Sequence, residues 1–137
     1  MQANGKCLCG AVQFEVEVAN TEVAACHCNM CRNWSGGPMI TIDCGDSFKV
    51  SAQAPILRFQ SSEWAERGFC TLCGTHLFYF LKPNNQYHLP AGLLKIEEQY
   101  NFSHQIFIDE KPEYYDFANK TKNMTGAELF SHFNAQE

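Results

Sequence analysis

The stretch Cys26-His27-Cys28-Asn29-Met30-Cys31-Arg32 places three thiols within six residues, in the pattern C-x-C-x-x-C. A short loop with this spacing turns all three sulfurs toward one point, which suits a soft divalent metal. Zinc prefers tetrahedral sulfur and nitrogen donors, and three protein ligands leave a fourth corner open for water or substrate. A lone cysteine would read as a small buried hydrophobe. Three at this spacing read as a metal centre.

Two further cysteine pairs flank this centre. Upstream, Gly5-Lys6-Cys7-Leu8-Cys9-Gly10 is a C-x-C pair closed by glycine; downstream, Gly68-Phe69-Cys70-Thr71-Leu72-Cys73-Gly74 is a C-x-x-C pair closed the same way. Each reads as a knuckle offering two thiolates to one ion, with glycine free to take the positive φ such a turn requires. Cys7, Cys9, Cys70 and Cys73 together then make a closed, structural zinc site that ties distant parts of the chain and contributes directly to folding free energy. Cys26, Cys28 and Cys31 remain for a second zinc with an open position, giving two ions per chain. Cys44 stands apart. It reads as a buried small hydrophobe; if it instead completed the second site, that site would be structural too. Disulfides are the weaker reading, because a C-x-C pair makes too short a loop and disulfide frameworks spread their cysteines.

Around the cysteines the apolar residues alternate. Val12, Phe14, Val16 and Val18 interleave with Gln13, Glu15 and Glu17, the pattern of a half-buried strand. Short strands are expected at residues 23–25, 39–42, 48–51, 56–60, 76–81, 87–94 and 102–108, with loops at Asn33–Pro38 and Asp43–Asp46. Ser61–Trp64 reads equally as a turn or a capped helical start, and residues 125–133 suit a short helix. Strands this short and frequent predict a mainly β protein. With no repeat or linker, residues 1–137 read as a single zinc-binding domain.

The net charge of −5 disfavours nucleic acid, which is bound through clustered Lys and Arg. The start, Met1–Lys6, lacks a signal peptide's apolar run, and no segment reaches the roughly 18 apolar residues of a membrane span. A soluble cytoplasmic protein with no membrane partner is the expectation.

Two residues of the central stretch are candidates for catalysis. His27 reads as a fourth ligand, a proton shuttle or a residue turned away from the sulfurs; alternation of neighbouring side chains in extended backbone favours the last. Arg32 reads as the counter-charge to a three-thiolate zinc site, as a substrate-carboxylate ligand, or as a plain surface arginine. His76, His88, His104 and His132 carry no metal spacing, and Ser61, Ser62 and Arg67 matter only if folding brings them to the site.

Taken together, Gly5-x-Cys7-x-Cys9-Gly10, Cys26-His27-Cys28-x-x-Cys31-Arg32 and Arg67-x-Phe69-Cys70-x-x-Cys73-Gly74 resemble the glutathione-dependent formaldehyde-activating enzyme family, which includes centromere protein V-like zinc proteins. Softer matches are Ser35-Gly36-Gly37, Ser61-Ser62, Ala91-Gly92-Leu93 and His104-Gln105-Ile106-Phe107. The resemblance implies a β-tent of coiled antiparallel sheets pinned by the four-cysteine zinc, and a catalytic zinc at the central stretch. It implies a carbon–sulfur lyase that forms or cleaves a thiol–aldehyde adduct such as S-hydroxymethylglutathione, with glutathione or a similar thiol and a small aldehyde as partners. The competing reading is a non-catalytic, zinc-stabilised binding module with two structural zinc sites. A redox enzyme resembling type B methionine sulfoxide reductases would have only Cys44 to serve as its reactive thiol.

Overall fold

A computed structural model describes residues 1–135. Its elements run β1 (Gln2–Lys6), β2 (Gln13–Glu17), β3 (Glu22–Cys26), α1 (Asn29–Ser35), β4 (Met39–Asp43), β5 (Lys49–Val50), β6 (Ile56–Gln60), β7 (Ala65–Cys70), β8 (His76–Leu81), β9 (Gln86–Pro90), β10 (Asn101–Ile106), β11 (Lys122–Met124) and α2 (Gly126–Ala135). The protein is mainly β with a short C-terminal helix, as its alternating pattern predicts. These elements group into two compact units: residues 1–21 with 41–99, and residues 22–40 with the chain from Tyr100 onward.

In the first unit every strand pair is antiparallel. β1 pairs with β2 and β2 with β5, and a second ladder runs from β4 (through Thr41–Asp43) to β9, β8, β7 and β6. The alternation of β2 has its expected outcome: Phe14 and Val16 are buried while Gln13, Glu15 and Glu17 face solvent. Phe48, Phe78, Phe80 and Tyr87 form an aromatic cluster with ring centroids 4.5–5.2 Å apart. The Arg58 guanidinium lies 4.6 Å over the Phe78 ring and pairs with Glu66 at 3.7 Å. Gly68 sits opposite Phe78, whose ring lies where a Cβ would be (2.2 Å), so only glycine admits this packing.

The second unit departs from the antiparallel expectation. β10 pairs in parallel with both β3 and β11. Neither pair is joined by a hairpin: residues 107–121 separate β10 from β11, enough for the crossover of about a dozen residues that a parallel connection needs. Other expectations also need correcting. Residues 29–35, read as part of a loop, form α1, because the stretch contains no helix breaker before Gly36. Gly36 closes the helix in the left-handed region (φ 81°), its N–H donating to the Arg32 carbonyl at 2.7 Å. β1, β7 and β11 have no strong alternation and were not anticipated as strands. Residues 61–64 are the turn of the β6–β7 hairpin, with Ser61 N–H donating to the Ala65 carbonyl.

Candidate functional site

The first unit carries Cys7, Cys9, Cys70 and Cys73, whose sulfurs lie within 4.8 Å of one another. β1 delivers Cys7 and β7 ends on Cys70. Gly10 and Gly74 turn the two knuckles at φ 82° and 79°, and their N–H groups donate to the Cys7 and Cys70 carbonyls at 3.0 and 2.8 Å. Thr75 joins the knuckles: its hydroxyl accepts from Leu8 N–H and contacts the Cys73 sulfur, both at 3.1 Å. That hydroxyl, with neighbouring backbone N–H groups, holds the Cys73 thiol down to about 5. The Cys7–Cys9 and Cys9–Cys70 sulfurs are 3.6 and 3.9 Å apart. Zinc–sulfur bonds of about 2.3 Å place tetrahedral sulfurs roughly 3.8 Å apart, so this donor set fits zinc.

The second unit carries Cys26, Cys28 and Cys31, also converging within 4.8 Å. Cys26 closes β3 and is 8% exposed; Cys31, in the first turn of α1, is 3% exposed. Cys28 is the helix N-cap in extended backbone (φ −62°, ψ 153°), and its sulfur accepts the Cys31 N–H at 3.3 Å. The Cys28 and Cys31 sulfurs, and then burial, push the Cys26 thiol up. Three thiols this close resist ionising together, and a divalent cation is what lets all three do so. This set also fits zinc, with three protein donors.

His27 is fully buried, and both its ring nitrogens are engaged. Nε2 lies 2.8 Å from Gln105 Oε1 and Nδ1 lies 2.7 Å from the Tyr115 hydroxyl. The Gln105 amide donates from Nε2 to Thr121 Oγ1 at 2.9 Å, leaving its Oε1 to accept from His27. The imidazole therefore carries its proton on Nε2 and accepts from Tyr115 on Nδ1. Burial holds its pKa below the usual histidine range, in keeping with this neutral form. Tyr115 and Phe117 flank the ring at centroid distances of 5.5 and 6.0 Å. With alternation along the extended segment, pinning His27 this way turns the flanking Cys26 and Cys28 toward the other side. Arg32 Nε donates to the His27 carbonyl at 2.9 Å, and Glu110 Oε1 accepts from Asn29 N–H at 2.9 Å. The loop is braced from both ends.

Sequence reading picked out His27 and Arg32 but not their partners. Gln105 stood in a weak match as a residue without a role, and the polar contacts of Tyr115 and Glu110 leave no local pattern to find. Elsewhere, Arg67 is 2% exposed on β7, its Nε donating to Ser61 Oγ at 3.2 Å and its guanidinium 4.9 Å over the Tyr79 ring. Ser62 Oγ is buried with no hydrogen-bond partner among the described residues. His104 Nδ1 contacts Ser103 Oγ at 2.7 Å, and burial lowers His76 and His88.

Cys44 belongs to neither cluster. It is 1% exposed, and burial, then Asp43, pushes its thiol up to about 12. Thiolate is the reactive form. In folded, zinc-loaded protein at pH 8, Cys44 is expected to stay unmodified by iodoacetamide until the protein is denatured, read by peptide mass mapping. Early alkylation of Cys44 would contradict its placement as an inert core residue.

A mainly β protein with one four-thiol and one three-thiol cluster is the class that fold and site define. The family model for glutathione-dependent formaldehyde-activating enzymes matches residues 2–110, and the chain belongs to that family. A Schizosaccharomyces pombe protein described as an uncharacterized lyase is 37% identical over 126 residues, spanning 91% of this chain and 92% of its own. A crystal structure of a Rhodobacter sphaeroides protein shares the fold, with a TM-score of 0.57 at 24% identity over 70% of this chain and 89% of that one. No described helix is long and apolar enough to cross a membrane.

Proposed function

We propose that this protein is a zinc-dependent carbon–sulfur lyase that forms or cleaves the adduct of a small thiol, such as glutathione, with a small aldehyde, such as formaldehyde. The observation that carries this reading is the convergence of three thiols, rather than four, at Cys26, Cys28 and Cys31. Family membership and the lyase description of the yeast relative support it. Cys7, Cys9, Cys70 and Cys73 hold a structural zinc, and the three-thiol cluster holds the catalytic one. A zinc ion there supplies Lewis-acid charge, which favours thiolate over thiol near neutral pH and draws electron density from an aldehyde.

In the forward direction a carbon–sulfur bond forms between thiol and carbonyl carbon, and the thiol proton ends on the former carbonyl oxygen; cleavage is the reverse. His27 and Arg32 serve as positioning residues in this scheme. His27 spends both nitrogens on Gln105 and Tyr115, and Arg32 ties the His27 carbonyl, so together they fix the direction of the cysteine side chains. The test is exchange between formaldehyde and S-hydroxymethylglutathione, followed by NMR line broadening with catalytic amounts of zinc-loaded protein. Accelerated exchange is expected. Exchange at the uncatalysed rate would remove this thiol–aldehyde pair as the substrate.

A further inference from the structure

One residue of the second unit holds a backbone conformation that its type rarely takes. Phe107, directly after β10, lies in the left-handed region at φ 53° and ψ 44°. For a bulky L-residue this is an outlier, and it persists only where the surroundings fix it. Phe107 turns the chain from β10 into one turn of 3₁₀ helix, Ile108–Glu110, and the Glu110 N–H donates to the Phe107 carbonyl at 3.0 Å. The turn brings two acceptors to the central loop, one on either side of Cys28. Just before it, the Ile106 carbonyl accepts from the His27 N–H at 3.1 Å. At its end, Glu110 Oε1 accepts from the Asn29 N–H. The backbone at residue 107 sets the spacing of these two contacts. Cys28 is half-buried, so packing alone holds it less firmly than the buried Cys26 and Cys31.

The start of α2 is what fixes Phe107. β11 runs parallel to β10 with Met124 opposite Ile106, so the helix begins beside residue 107. A capping box sets that beginning: the Glu128 N–H donates to Thr125 Oγ1 and the Thr125 N–H to Glu128 Oε1, both at 3.1 Å. The Gly126 N–H donates to Asp109 Oδ1 at 3.0 Å, tying the helix to the 3₁₀ turn. A Cβ on Gly126 would lie 2.6 Å from the Phe107 ring, so the ring rests directly on the glycine backbone. One helical turn further on, Phe130 meets the same ring edge-to-face at 6.1 Å. All of α2 lies beyond residue 110, outside the region that matches the family model.

We propose that Phe107 is a positioning residue for the three-thiol cluster, held in place by α2. The helix locks the ring, the locked ring keeps the backbone left-handed, and that backbone keeps the two contacts that aim Cys28. This inference rests on the reading of Cys26, Cys28 and Cys31 as a zinc site, and it gives the C-terminal helix a part in retaining that ion. Losing a contact that orients a metal ligand weakens metal binding by about tenfold or more.

The test compares the wild type with Phe107→Ala, Phe107→Asn, Gly126→Ala and Phe133→Ala, the last a control at an exposed position of the same helix. Zinc affinity is read by competition with a chelator, and ligand geometry by cadmium NMR of the cadmium-substituted protein, in which three-thiolate and four-thiolate sites resonate apart. Phe107→Ala and Gly126→Ala are expected to weaken zinc binding at the central cluster about tenfold or more and to shift its cadmium resonance. The four-thiolate resonance stays in place, and Phe133→Ala matches the wild type. Alanine favours a helix over glycine, so the effect of Gly126→Ala does not come from a melted α2. Asparagine tolerates the left-handed region, so Phe107→Asn falls closer to the wild type than Phe107→Ala, an order that lost ring packing alone would not produce. Wild-type affinity and spectrum in both Phe107→Ala and Gly126→Ala overturn the inference. So does an equal shift of both resonances, or an Asn variant no better than the Ala one. A wild type lacking the three-thiolate resonance overturns the zinc reading of the central cluster and this inference with it. Failure of the lyase reading alone shows as uncatalysed formaldehyde exchange in a protein whose central resonance still depends on Phe107.

Discussion

Cys70→Ser is expected to abolish cooperative folding. Cys70 is fully buried at the end of β7, between its neighbours β6 and β8 in the antiparallel ladder, and its sulfur lies 3.9 Å from that of Cys9. Its N–H and carbonyl are both taken, by the Thr75 carbonyl and the Gly74 N–H. Structural zinc sites contribute about 10–16 kcal/mol in zinc-finger peptides, against a total stability of about 5–15 kcal/mol for a typical domain. Removing one of four ligands weakens the site enough to threaten that whole margin. A serine hydroxyl in the same place adds a buried polar group where the proposed site has a metal-bound thiolate. Thermal melts by circular dichroism are expected to lose their sigmoidal transition, and prolonged chelation of the wild type to do the same. A mutant that melts cooperatively within a few degrees of the wild type, by the scale of a stability change of about 1 kcal/mol, would contradict the structural role given to this cluster.

Cys28→Ser is expected to have the opposite profile, with the fold kept and activity lost. Cys28 is the N-cap of α1, where its sulfur accepts the Cys31 N–H. Serine is among the best N-cap residues and its hydroxyl accepts the same hydrogen bond, so α1 keeps its start. The His27 contacts to Gln105 and Tyr115 do not involve residue 28 and hold the loop in place. What changes is the donor set, from three thiolates to two. Lewis-acid stabilisation is worth several kcal/mol, so a fall in thiol–aldehyde exchange of about a thousandfold is expected, alongside a wild-type melt. Full activity in a folded Cys28→Ser protein would sink the catalytic assignment and return the central cluster to a purely structural role.

The contrast between these two variants follows the parts of the molecule that the sequence makes legible. The knuckles are local: C-x-C and C-x-x-C next to glycine fix their own turns, so the partition of seven cysteines into four and three could be read directly. The β2 alternation and the edges of β6 and β8 were equally local. β7 was hidden because Arg67 and Gly68 break its apolar alternation, although Arg67 is buried and Gly68 makes room for Phe78. The parallel pairing of β3 with β10 is a property of segments some eighty residues apart, and no turn chemistry announces it. The His27 clamp was invisible for the same reason. Gln105 and Tyr115 are brought to the imidazole by β10 and by the segment after Glu110, which has no periodicity to follow. The helix after Cys28 was missed because a cysteine is not an expected cap; it acts as one here through its sulfur.

Zinc content per chain, measured by elemental analysis on reduced and desalted protein, tests the division of labour between the two clusters most directly. The account predicts about two zinc ions in the wild type and about one in Cys28→Ser, with the remaining ion held by the four-thiol cluster. A single zinc in the wild type, with Cys26, Cys28 and Cys31 open to alkylation, would contradict it, as would equal zinc content in the two proteins.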